Sequence, residues 1–123
     1  ISLESSIRQG KPLVIYFSAS WCPICAKNRP VLQELYPNYR DELNLVMISI
    51  DPSDTKKVMR ELAADEGLTH PIVPGAPEVM RSFGVNSQAT TVGVTRQGKI
   101  AFTKTKTALS KSEYRSLFDQ LVS

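Results

Sequence analysis

A run of five apolar residues, Leu13–Phe17 (LVIYF), stops just short of Trp21-Cys22-Pro23-Ile24-Cys25. That junction constrains the fold more than any other stretch of the chain. β-Branched and aromatic residues without a polar break read as a strand buried on both faces. Ser18-Ala19-Ser20-Trp21 turns out of the strand, and a helix is expected to start near Cys22. Pro23 suits its first turn, where the N–H that proline lacks would be unpaired anyway. The helix is expected to run through Val31, Leu32 and Leu35 to about Tyr36, kinked at Pro30.

The other elements follow from the same reasoning. Ser2–Gln9 is a short helix ended by Gly10 and Pro12. Leu43–Ile50 (LNLVMISI) is a second buried strand. Asp51-Pro52-Ser53-Asp54 is predicted to be a loop ending in a helix cap, and Thr55–Glu66 a helix with Val58, Leu62 and Ala63 on its apolar side. Thr69–Pro77, with three prolines and a glycine, reads as loop, and Glu78–Phe83 as one or two helical turns. Thr90–Thr95 and Lys99–Thr103 flank Arg96-Gln97-Gly98 as a hairpin. Ser110–Val122 is a helix with Ser110 as cap, Glu113 at the capping-box position, and Tyr114, Leu117, Phe118 and Leu121 as apolar face. The fold class implied is α/β, one domain spanning residues 1–123, with a mixed central sheet and helices on both faces.

Composition removes several function classes. At 123 residues the chain is long enough to bury roughly two-thirds of its unfolded surface. Fifteen Lys and Arg against twelve Asp and Glu leave +3, too mild and scattered for a nucleic-acid partner. No apolar run approaches the ~20 residues of a membrane helix. The chain starts at Ile1; a chain cut after a signal peptide and one trimmed of an anchor would both begin this way. Lys104, Lys106 and Lys111 form a loose basic cluster, read as a solvated face with anionic lipid headgroups as the other option.

Two cysteines three positions apart cannot staple a small secreted domain, so their spacing points to redox or metal chemistry. A helix start suits a reactive thiol, because unpaired N–H groups and the positive end of the dipole favour a thiolate on Cys22. An ordinary thiol near pKa ~8.5 is only about 3% ionised at pH 7. Cys25, one turn on, can close a disulfide with Cys22 and should be the more buried, so Cys22 attacks and Cys25 resolves. The metal reading would use Cys22, Cys25 and the lone His70, which otherwise reads as a solvated or loop-pinning residue. Trp21 is divided between a substrate surface shared with Ile24 and packing at the junction. Asp51 and Asp54 are assigned to a turn and a cap rather than to an acid pair.

In these residues the chain resembles the thioredoxin superfamily. LVIYF, Ser18-Ala19-Ser20-Trp21-Cys22-Pro23-Ile24-Cys25 and Pro30 resemble its active-site strand, WCxxC motif and kinked helix. Phe83-Gly84-Val85, Thr90-Thr91-Val92-Gly93-Val94 and Gln97-Gly98-Lys99-Ile100 resemble its later strand and hairpin. SASWCPIC and the long segment from Asp51 to Gly84 look most like the extracytoplasmic TlpA/ResA-like branch. The resemblance implies a thiol–disulfide oxidoreductase with Cys22 and Cys25 catalytic, and Trp21, Pro23, Ile24, Gln88, Ala89 and Thr90 near an extended substrate. It implies protein disulfide or dithiol partners, a membrane electron donor as a further option, no cofactor and no nucleic acid. The full-length form is expected to be a monomer, tethered or secreted, in the periplasm or on the outer face of the cell membrane, with the cytoplasm left open.

Three departures from the family pattern stand out. Ala89 occupies the place of the expected cis-proline; a cis bond to alanine costs about 2.5–4 kcal/mol, so the Gln88–Ala89 bond is expected trans and its loop reshaped. Tyr16 stands where many relatives carry a buried aspartate, and Met47 where its lysine partner would be. Asn28 replaces a glutamate often found three residues after the second cysteine. Lys27 and Arg29 are expected to be solvated. The rival readings are a metal-binding or metallochaperone domain, and a binding module that turns over poorly because of Ala89.

Overall fold

The computed structural model describes residues 3–68 and 72–123. The elements in chain order are α1 (Leu3–Arg8), β1 (Leu13–Ser18), α2 (Pro23–Leu35), a 3-10 turn (Tyr36–Asn38), β2 (Asn44–Ser49), α3 (Lys56–Glu66), β3 (Ile72–Val73), α4 (Pro77–Ser82), β4 (Thr90–Val94), β5 (Ile100–Lys104) and α5 (Lys111–Val122). They form one five-stranded sheet in the order β3-β2-β1-β4-β5. β1 runs parallel to β2 and antiparallel to β4, placing the strand before the cysteines near the middle of the sheet.

Every residue of β1 and β2 is buried, as expected for strands covered on both faces. Val14, Tyr16, Leu45 and Met47 share one core with Cys25, Leu32 and Leu35 of α2 and Tyr114, Phe118 and Leu121 of α5. Leu13, Ile15, Phe17, Val46 and Ile48 share the other with Met80 of α4, Val85 and Val92. The alternation along each strand sends successive side chains to opposite cores.

The structure corrects three expectations. Thr69–Pro77 is not all loop: Ile72 and Val73 pair in parallel with Met47 and Ile48, adding a two-residue edge strand too short to carry a sequence signal. The cap of α3 is Thr55, whose hydroxyl accepts the Val58 N–H at 3.3 Å, and not Asp54, which is used elsewhere. The residue that α3 buries is Met59, while Val58, Leu62 and Ala63 are half-buried. Ser110 and Glu113 do form the capping box of α5, and Gly98 takes a left-handed φ of 84° in the β4–β5 hairpin. No helix of the described residues is long and apolar enough to cross a membrane.

Candidate active site

β1 delivers the chain to the edge of the core, residues 19–21 bend, and α2 begins at Pro23 with Cys22 as its N-cap. The Cys22 sulfur accepts the Cys25 N–H at 3.2 Å, and the Cys22 N–H donates to the Ala19 carbonyl at 3.2 Å. A helix donor is therefore aimed at this sulfur. Both thiols are unbridged and both are buried. Pro23 is exposed and Ile24 half-buried, flanking Cys22 on the surface. Burial is the largest influence on Cys25 and, with its hydrogen bond to Cys22, pushes the thiol up to about 11; hydrogen bonds from the Tyr16 hydroxyl and the Ala19 N–H act in the opposite direction. Cys25 is a neutral thiol at physiological pH.

The bend at 19–21 is held from outside by charged groups. Asp54, 3% exposed, accepts the Ser20 N–H at 2.9 Å, the Ser20 hydroxyl at 2.6 Å and the Ser49 hydroxyl at 2.6 Å. Asp51 accepts the Trp21 indole N–H at 2.7 Å and the Ser53 N–H at 2.8 Å. The Ser53 and Trp21 donors hold the Asp51 carboxyl below the usual carboxylate range. Trp21 is 56% exposed, so it is not packed into the strand–helix junction; its ring lies on the surface beside Cys22. Gly75 backs this loop, its N–H donating to the Asp54 carbonyl at 2.8 Å; a side chain there would lie 2.0 Å from the Asp51 carbonyl oxygen.

Arg29 overturns the expectation of a solvated side chain. It is 1% exposed, and its guanidinium makes a two-pronged pair with Glu66 of α3, Nε to Oε1 at 2.9 Å and Nη2 to Oε2 at 3.0 Å. A third donor, Nη1, reaches the Ala19 carbonyl at 3.3 Å. Burial is tolerated because a planar fork meets a carboxylate with matching geometry. Lys27 is exposed as expected. Lys111 pairs on the surface with Glu34 at 2.8 Å.

Beneath Cys25 the groups are neutral. Asn28, fully buried, donates to the Tyr16 hydroxyl and to the Thr107 carbonyl, both at 2.9 Å, and accepts the Leu109 N–H at 3.0 Å. Burial raises Tyr16 and Tyr114 far above ordinary phenols, and Tyr114 is hydrogen-bonded to Thr91 at 2.8 Å. Tyr16 and Asn28, singled out from the sequence only as departures, thus meet as partners.

Ala89 is buried in the same cluster as both cysteines. No cis peptide bond occurs among the described residues, and Ala89 instead adopts φ 59°. This left-handed conformation costs an L-residue roughly 1–2 kcal/mol. Its carbonyl accepts the Thr107 N–H at 3.2 Å. Thr90 is buried, and its hydroxyl is engaged by the Ser87 carbonyl at 3.0 Å and the Lys106 N–H at 3.3 Å; Gln88 is half-buried. Among the described residues no three His, Cys, Asp or Glu side chains gather to hold a metal ion. His70 lies outside the described residues.

Comparison with known proteins agrees with this geometry. The AhpC/TSA family profile matches residues 1–105. The thiol-disulfide oxidoreductase ResA of Bacillus thuringiensis is 26% identical over 99 residues, 80% of this chain and 57% of that relative. The chain thus spans little more than half of the relative's length. The StoA structure from Bacillus subtilis superposes with a TM-score of 0.76 at 25% identity, covering 87% of this chain and 81% of that one. A thioredoxin-family thiol:disulfide interchange protein from Chlorobium tepidum superposes with a TM-score of 0.84 at 17% identity, over 98% and 85% of the two chains, which shows the shared fold.

Proposed function

We propose, from the premise that the chain belongs to the AhpC/TSA family, that it is a thiol–disulfide oxidoreductase acting on protein disulfides or dithiols. The observation that carries this reading is the unequal pair at the start of α2. Cys22 lies at the helix cap with a donor on its sulfur, and Cys25 lies one turn deeper, held as a neutral thiol. Cys22 attacks a substrate disulfide and the first substrate thiol departs. Cys25 then attacks the Cys22 sulfur of the mixed disulfide, closing Cys22–Cys25 and releasing the second thiol. Trp21, Pro23 and Ile24 supply the surface around Cys22, and the backbone of residues 88–90 faces the bound chain.

The resemblance of Ser18–Cys25 to the TlpA/ResA-like branch supports work outside the cytoplasm, on secreted or membrane-facing partners. The test is capture: a Cys25→Ser variant incubated with a disulfide-bonded protein such as insulin should accumulate a one-to-one mixed disulfide mapped to Cys22. The Cys22→Ser variant should accumulate none. A Cys25→Ser protein that stays free while the native chain shows no reversible couple in glutathione buffers would overturn the reading.

A further inference from the structure

The Asn28 amide can be oriented in only one way. Its oxygen must face the Leu109 N–H, a donor, and its nitrogen the Thr107 carbonyl, an acceptor; a flipped amide would set like against like at both contacts. The second N–H of the same nitrogen therefore donates to the Tyr16 oxygen at 2.9 Å. A phenol oxygen that accepts on one side turns its own proton to another partner. Cys25 stands three residues before Asn28 on the same buried face of α2 and shares one core cluster with Tyr16, which sets its sulfur beside the phenol. From Cys25 the series passes to Cys22, whose sulfur takes the Cys25 N–H at 3.2 Å. Every donor in the series points the same way.

We propose that Asn28 and Tyr16 form a directional donor chain onto the resolving sulfur, with Tyr16 as the catalytic residue that carries the charge developing on Cys25 and Asn28 as the residue that positions it. This rests on the redox reading above and specifies how its second step works in an uncharged core. In that step the Cys25 sulfur forms its bond to Cys22 as the bond between Cys22 and the substrate sulfur breaks. The pair of electrons leaves with the substrate thiolate, and the proton shed by Cys25 ends on that thiolate or in water. Tyr16 keeps its own proton throughout. A phenol held protonated by burial cannot serve as the base, but it can donate to a thiolate, and a donor to a charged acceptor makes a stronger bond than one to a neutral acceptor. Aligned bonds in a dry core also polarise one another. The Ala19 N–H is a second donor to the same sulfur, so removal of Tyr16 weakens the step without abolishing it.

The experiment is a single-turnover reaction with an aromatic disulfide, 5,5′-dithiobis(2-nitrobenzoate). Attack by Cys22 releases one coloured thiol, and resolution by Cys25 releases a second. Tyr16→Phe should slow the second release roughly tenfold near neutral pH, with a much smaller effect on the first, and should move the glutathione equilibrium severalfold towards the disulfide. Its pH profile should shift upward, with Cys22 at the cap of α2, Tyr16 in β1 and Tyr114 in α5 the titratable groups facing Cys25. Asn28→Ala should slow the second release about threefold in the native background and add nothing to Tyr16→Phe. Equal second-release rates for the native chain and Tyr16→Phe, or an Asn28→Ala effect of the same size in both backgrounds, would overturn the proposal. Should Tyr16→Phe fail to fold, Asn28→Ala decides by itself, since an unchanged second release in that variant breaks the chain at its first link. A native chain that releases no second thiol removes the redox reading itself, an outcome distinct from either of these.

Discussion

Two polar networks meet at the cysteine pair, and they are built from different chemistry. The outer one holds the bend at residues 19–21 with charged groups: Asp54 on Ser20, Asp51 on Trp21, and the Arg29–Glu66 pair on the Ala19 carbonyl. The inner one, beneath Cys25, is uncharged: Tyr16, Asn28, Thr107, Leu109, and the Thr91–Tyr114 pair. The difference follows compensation. Asp54, though buried, is met by three donors and the buried Arg29 by a carboxylate, whereas a charge set between β1 and α2 would need a comparable set of partners in a core whose donors are already engaged. Ala19 stands where the networks cross, its carbonyl serving the outer one and its N–H reaching Cys25.

The largest effect should come from removing a charge anchor. Asp54→Ala leaves three donors unpaired, two of them from Ser20, and should cost about 3–4 kcal/mol in urea unfolding of the reduced protein. Asp54→Asn should recover part of that. If Asp54→Ala unfolds at the native midpoint, the outer network is not what holds the bend. Arg29→Met, of similar length without charge, should cost about 2–3 kcal/mol, moderated because Glu66 retains contact with water.

A pH comparison isolates the inner network. Burial raises Cys25 to about 11 in the fold against an ordinary thiol value near 9. A group raised on folding contributes stability that is whole below the unfolded value and is lost as pH climbs through the folded one. Between pH 9 and 11 the reduced protein should therefore lose on the order of 2 kcal/mol relative to its disulfide form, which has no thiol to ionise. The buried tyrosines titrate in both forms, so the difference between them cancels that contribution. Parallel loss in both forms would mean that Cys25 is solvated. The smallest change is expected from Trp21→Phe, which gives up one surface hydrogen bond to Asp51. Its Tm should move by less than about 2 °C while capture of a disulfide substrate weakens.

Much of this could be read along the chain because the signals are local. The capping box at Ser110 and Glu113 spans four residues, the hairpin glycine sits within its own turn, and a buried strand shows itself as an uninterrupted apolar run. β3 escaped because two residues between prolines have no periodicity. An acid before a helix usually caps it, and only Ser20, 34 positions away, reveals the different use of Asp54. Arg29 reads as solvated on the same ground of typical behaviour, and Glu66, 37 positions on, reverses it.

The fold class, the strand-to-helix junction and the order of the two cysteines along it are legible in the linear chain, because each rests on spacing within one or two turns of backbone. The surroundings of the sulfurs are set by the folded core. Tyr16 and Asn28 each appeared as a missing carboxylate; folded together, and joined to Thr107 79 positions away, they form a neutral donor system under Cys25. Hydrogen bonds between distant segments depend on which surfaces the sheet brings face to face, and a linear pattern carries no record of that meeting.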